Sequence, residues 1–464
     1  MISTHLYLHG FGVRYGLPVP LSLYLYAAAA VVVLSFVLVV AFAGGRLGER
    51  ATEYPRWEAR WLLALGRSPV VRFLLALIGA LSLLIVVVSG FFGSRTAASN
   101  PEAYLFWIFF WAASIPLVGL LGNYWTYLNP FRTIYRLLAR VVPHGERGIP
   151  EGLGIWPAVA GYFLLEWLEL ASGQAANPPL VAGLALGYTI LTVAGMLVFG
   201  EETWLGRCEL FSVLFDLVAR FGPVETLRDE SGRLLKVWVR PWGAGLLAPI
   251  RAGWDRIALV ILTLSSLAFD GIIATGLWNN TITADNGPFA GSFGSWPDPV
   301  QHTIGLVCIG LIFLGVFTIF MWAVASLGKA RGDRLPLLTA FALTLVPIAL
   351  VYDAAHYYTY VTVTAQGIIP VLGDPLERGW HLLPVNPVFT PNLILAQAAF
   401  VWYAEVVLIV IGHVIAVYLA HLRAGEAFKR ARLVLLSQYP MLLLMVGYTM
   451  TSLWILAQPT TSGG

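Results

Sequence analysis

Charge is what this sequence has least of. Only 11% of its 464 residues are Asp, Glu, Lys or Arg, against roughly 25% in soluble domains, which excludes a chain kept in water by its own surface. Cysteine is nearly absent: Cys208 lies in a polar loop and Cys308 inside an apolar run, excluding a disulfide framework and any thiolate metal motif. The chain has no CxxCH haem attachment, ferredoxin cysteine pattern or dinucleotide glycine fingerprint, and no phosphate-binding loop or GxSxG elbow. Independent redox chemistry, ATP-driven pumping and serine-esterase chemistry therefore have no signature here. About 19 mostly neutral residues precede an apolar run too long for a cleavable leader, so the start reads as a first span entering from outside.

What fills the chain is hydrocarbon. Hydrophobic residues make up 58% of it, with a mean hydropathy of +0.77. A helix of about 20 apolar residues crosses a bilayer, and ten such runs follow one another: 20–43, 70–92, 103–122, 154–172, 180–200, 256–276, 302–326, 335–362, 393–421 and 433–456. The expectation is an all-α, polytopic transmembrane bundle forming a single integral membrane domain over 1–464. Alternate loops hold all but five of the 28 Lys and Arg residues, the exceptions being Arg14, Arg72, Arg95, Arg256 and Arg378. The positive-inside rule makes those loops cytoplasmic and leaves both termini outside. The net charge of +3 reflects this bias and points to a lipid bilayer, not to nucleic acid. Arg132, Arg136 and Arg140 read as a lipid-facing basic stripe.

One internal match stands out. FRTIYRLLARVVP (131–143) aligns with FSVLFDLVARFGP (211–223) at an offset of 80, and both carry apolar residues at i, i+3, i+4 and i+7. Each reads as an amphipathic helix lying in the membrane surface after a pair of spans, so the unit occurs twice in parallel. Within the cytoplasmic loop 201–254, DESG followed by KVWV reads as a short hairpin. The loops 277–300 and 367–392 read as a lid on the outer face.

Six ionisable side chains sit inside the apolar runs: Glu166, Glu169, Asp270, Asp353, His356 and Glu405. Charge in hydrocarbon is costly unless paired, protonated or watered, so such residues mark candidate sites. Glu166 with Glu169, and Asp353 with His356, are three apart and share a helix face. Asp353, His356 and Asp270 offer oxygen and imidazole donors that suit zinc, iron or manganese. The competing reading is that they bond to neighbouring tyrosines. Glu405, Glu166 and Glu169 are candidate catalytic or proton-shuttling acids. His5 with His9 could chelate an ion on an exposed helix, and His413 and His421 lie too far apart around one helix to share a ligand.

The chain also resembles a bacterial membrane family that carries the name fenitrothion hydrolase. The resemblance rests on HGFGVRYGLPVPLSLYLYAAAAVVVLSFVLV (9–39), LNPFRTIYRL (128–137), GIWPAVAGYFLLEWLEL (154–170), LAFDGIIAT (267–275), DAAHYYTYVTVTAQGIIPVLGDP (353–375) and GHVIAVYLAHLRA (412–424). It implies cleavage of organophosphate triesters, and the expected location is a bacterial inner membrane. On the residues, that reading has Asp353, His356 and Glu405, with Asp270, hold a divalent metal that activates a water, while Glu166 or Glu169 shuttles the proton. Two other functions stay open on the residues alone: a proton-coupled transporter of a small molecule or metal ion, and a non-catalytic subunit of a larger (respiratory) membrane complex with membrane-protein partners.

Overall fold

The computed structural model describes residues 21–43, 54–229, 232–284, 292–384, 389–428 and 430–457; His5 and His9 lie outside them. The described chain is mostly helical. It runs α1 (Leu21–Ala43), β1 (Trp57–Glu58), α2 (Arg60–Arg67), α3 (Pro69–Phe92), α4 (Pro101–Leu121), α5 (Trp125–Leu128), α6 (Pro130–Leu138), α7 (Trp156–Leu170), α8 (Pro178–Phe199), α9 (Glu201–Arg207) and α10 (Leu210–Ala219). It continues through β2 (Val224–Arg228), β3 (Leu234–Val239), α11 (Trp254–Ile273), α12 (Asp298–Leu327), α13 (Leu335–Leu343), α14 (Val346–His356), α15 (Tyr358–Thr362), α16 (Ile368–Gly373), α17 (Ala398–Ala427) and α18 (Ala431–Ala457).

Among the described residues nine helices are long and apolar enough to cross a membrane, with α13 and α14 together making one of them. They make this a multi-pass membrane protein. The apolar helix α1 packs on α17 and α18 beside them. The loops alternate between two faces: one carries the small sheet, and we call the other the far face.

Two spans depart from regular α-helix. In α4 the segment Tyr104–Ala112 is a π-helix. Pro116 has no N–H to give the Ala112 carbonyl and its ring crowds that group, so the turns before it widen, and Ala113 N–H reaches back to Ile108 O at 2.8 Å. The run read as one span over 335–362 is broken at Thr344–Leu345, ahead of Pro347, and again at Tyr357. Proline at the first turn of α14 has no donor to lose there.

The amphipathic helices α6 and α10 start at matching positions. Asn129 Oδ1 accepts from Arg132 N–H at 3.0 Å, and at an offset of 80 the Glu209 carboxylate accepts from Phe211 and Ser212 N–H at 3.0 and 2.7 Å. Burial pushes the Glu209 carboxyl above its usual range, against the pull of those bonds and of Tyr188. The α6 helix rests on α3 and α8, and α10 rests on α7 and α4, so each lies on the first span of its own pair and the second of the other. The basic stripe is not simply lipid-facing: Arg132 pairs with Glu201 at 3.1 Å and Glu202 at 3.2 Å, and Arg136 with Glu201 at 2.8 Å.

The hairpin at 224–239 forms, and a third strand joins it: β3 lies between β1 and β2, all antiparallel. The Glu225 carboxylate receives Arg56 at 2.7 Å, Tyr54 at 2.9 Å and the buried Arg240 at 2.9 Å, clasping the first loop to the second half of the sheet.

Close packing is tightest where α3 passes α5. A Cβ on Gly79 would stand 1.7 Å from the Leu128 carbonyl oxygen, a backbone atom that cannot rotate away. Gly79→Ala is expected to cost at least about 1–3 kcal/mol and to lower the monodisperse yield in detergent. Gly187→Ala, whose Cβ meets nothing within 4 Å, should match wild type; equal melting of all three proteins would contradict this packing.

Candidate functional site

The two most deeply buried spans, α11 and α13–α14, meet α7 and α4 in the half of the bundle nearer the far face. The four elements bring together five of the six sequence-predicted residues. Glu166 and Glu169 come from α7, Asp270 from α11, and Asp353 and His356 from the last turn of α14. All five are 1–6% exposed.

Each group has a definite setting. His356 Nε2 and Asp270 Oδ2 lie 2.5 Å apart. Glu169 is held from two sides: Trp111 Nε1–H donates to Oε2 at 2.7 Å and Tyr357 Oη–H donates to Oε1 at 3.0 Å. Trp111 reaches it from the π-helical stretch of α4. Tyr162 Oη and Ser266 Oγ are 3.2 Å apart, and both hydroxyls hydrogen-bond with the Glu166 carboxyl. Asp353 lies within the field of Glu169 and Glu166, and its Oδ2 has no hydrogen-bond partner among the described residues.

The electrostatics are one-sided. Among the described residues, the charges that bear most on Glu166, Asp353 and Tyr357 are other carboxylates. Four carboxyl groups and one imidazole thus lie buried together, and charge held in hydrocarbon is costly unless paired, protonated or watered. These side chains are all buried inside the bundle. A small pocket lined by Leu264, Phe313, Ile348, Tyr352, Tyr448 and Ser452 lies between α11, α12, α14 and α18 and is largely apolar.

The Asp270 and His356 donor atoms lie against each other, and among the described residues no three His, Cys, Asp or Glu side chains are grouped to hold an ion. Glu405 is half-buried on α17, where its charge bears on Tyr358.

Three further histidines lie against oxygens of the bundle. His302 Nδ1 lies 3.0 Å from Leu170 O, His413 Nδ1 lies 2.8 Å from Ile409 O, and His421 Nδ1 lies 2.9 Å from Gln438 Oε1. Sequence reasoning missed Tyr162, Ser266, Trp111 and Tyr357. Tyr162 carried a signal, one helical turn before Glu166, and Tyr357 adjoins His356. Trp111 and Ser266 are on other spans and gave none. No family model matches this chain, and neither a curated protein nor a solved structure does.

Proposed function

We propose that the chain is a proton-coupled membrane transporter and that Glu166, Glu169, Asp270, Asp353 and His356 form its proton-binding site. One observation carries this: four carboxyls and an imidazole from three spans lie buried together, with Asp270 on His356 and the charges of Asp270, Asp353 and Glu169 bearing on their neighbours in the group. Such a group costs stability, and ionisable residues inside a membrane are by default candidates for function. Adding or removing one proton alters which of Asp353, Glu166 and Glu169 repel, and hence how closely α7 and α14 pack. The break at Thr344–Leu345 lets α14 respond separately from α13.

By the positive-inside rule the sheet face is cytoplasmic and the cluster lies in the outer half, in a bacterial inner membrane with both termini outside. The matched seating of α6 and α10 supports a parallel duplication, an architecture familiar in transporters. The cargo class is a small molecule or a metal ion. The hydrolase reading rests on the sequence resemblance alone. A purified protein that turns over an organophosphate triester, and loses that turnover in His356→Ala, would move it to the front. A role as a subunit of a larger complex would show as partners retained in mild detergent.

The test is electrical. Proteoliposomes adsorbed on a solid-supported membrane are stepped from neutral to acidic buffer. Wild type should give a transient current, as protons bind inside the dielectric, that empty liposomes and the Glu166→Gln/Asp353→Asn double variant do not. A wild-type trace indistinguishable from that of empty liposomes would overturn the proposal.

A further inference from the structure

Another buried carboxyl, outside the cluster, lies at the far-face end of α4. Glu102, in the first turn of α4, is 1% exposed, and its Oε1 has no hydrogen-bond partner among the described residues. Its backbone is fixed: Asn100 Oδ1 accepts from Glu102 N–H at 2.9 Å, while Asn100 Nδ2 donates to Ser89 O at 2.9 Å and Ser94 O at 2.7 Å. A glutamate that merely complemented the helix N-terminus would sit in water or on the free N–H groups. Here one oxygen is buried and unused.

Between Glu102 and Glu169 stand tyrosines. Tyr360, 3% exposed, also has a hydroxyl without a partner among the described residues. The ionisable groups bearing on that hydroxyl are Glu169, Tyr104 and Glu102, in that order. The ring of Tyr360 packs on Tyr357 at 6.2 Å between centroids, and Tyr357 donates to Glu169. Tyr104, two residues after Glu102, donates to Ala98 O at 2.9 Å and so keeps its ring at the same end of α4. Two orphaned polar atoms lie on one route between a surface loop and the cluster, where buried polar groups are normally satisfied.

We infer that Glu102 is the port through which protons pass between the far face and the buried cluster, by way of the Tyr360 hydroxyl. This rests on the proton-binding reading of the cluster. One proton moves at each step, and because neither orphaned atom has a hydrogen-bond partner among the described residues the hops need a water between them: that water takes the Glu102 hydrogen as it gives one of its own to a lone pair of the tyrosine oxygen, whose own hydrogen passes on through a second water towards Glu169. The tyrosine and both waters are left neutral, and Glu102 regains a proton from the far face.

The same pH-step recording tests it through kinetics. Glu102→Gln should slow the transient by about tenfold or more while keeping the total displaced charge, because the cluster still fills. Tyr360→Phe, which preserves the ring, should slow it likewise and carries the test if Glu102→Gln does not insert. Azide, a small permeant weak acid, should restore the rate of Glu102→Gln, which repair of a merely structural defect would not do. Wild-type rates in both variants overturn the port and leave the cluster standing. No transient in wild type removes the cluster reading and the port with it.

Discussion

Asp270→Ala is expected to destabilise the protein by about 3–5 kcal/mol, the range found when one member of a buried charged pair is removed. The partner it leaves behind is His356, 2% exposed and 2.5 Å from the lost carboxylate. His356→Ala should cost a similar amount by leaving Asp270, 1% exposed, with its carboxylate in hydrocarbon. The double variant Asp270→Ala/His356→Ala should cost less than the sum of the two, by an interaction energy of about 0.5–3 kcal/mol, since neither group is then stranded. Reversible unfolding in mixed micelles gives all three values. Strict additivity would show that the two side chains do not bind each other.

Glu169 separates stability from function. Its two oxygens accept from two buried donors, Trp111 Nε1–H and Tyr357 Oη–H. Glu169→Leu strands both, at about 1–3 kcal/mol each. Glu169→Gln can turn its remaining oxygen to Trp111, which only donates, and its amide nitrogen to Tyr357, whose hydroxyl can rotate to accept. The Gln variant should therefore fold nearly as well as wild type yet lose most of the charge displaced by an acid step, because an amide does not bind the proton. Full displacement in a folded Glu169→Gln protein would place the proton site elsewhere.

The fold was legible where it rests on composition and period. The nine helices found here follow nine of the apolar runs, and KVWV in DESGRLLKVWV forms a strand as its alternation indicates. Strand β1 was not legible, because two residues at Trp57–Glu58 carry no period and join the sheet only through long-range pairing with β3. The breaks around Pro116 and Pro347 have a chemical sign in the sequence, but a proline marks that a helix must adjust without saying whether it kinks or widens.

For the site, single-helix spacing found the acids that share a face and could not say what another helix would place against them. Spacing put Asp353 and His356 on one face, but only the fold shows that Asp270 of α11 lies against the imidazole. Glu102 was overlooked because it opens its span, where an acid is ordinary, and only its burial sets it apart.

The central claim is that these carboxyls hold exchangeable protons inside the bundle. Infrared difference spectroscopy of the reconstituted protein, between mildly acidic and mildly alkaline buffer, observes the protonated carboxyl C=O stretch directly. Wild type should show pH-sensitive carboxyl bands, with one component missing in Glu166→Gln and another in Asp353→Asn. A spectrum with no pH-sensitive carboxyl band, or with bands unchanged in both variants, would contradict the claim.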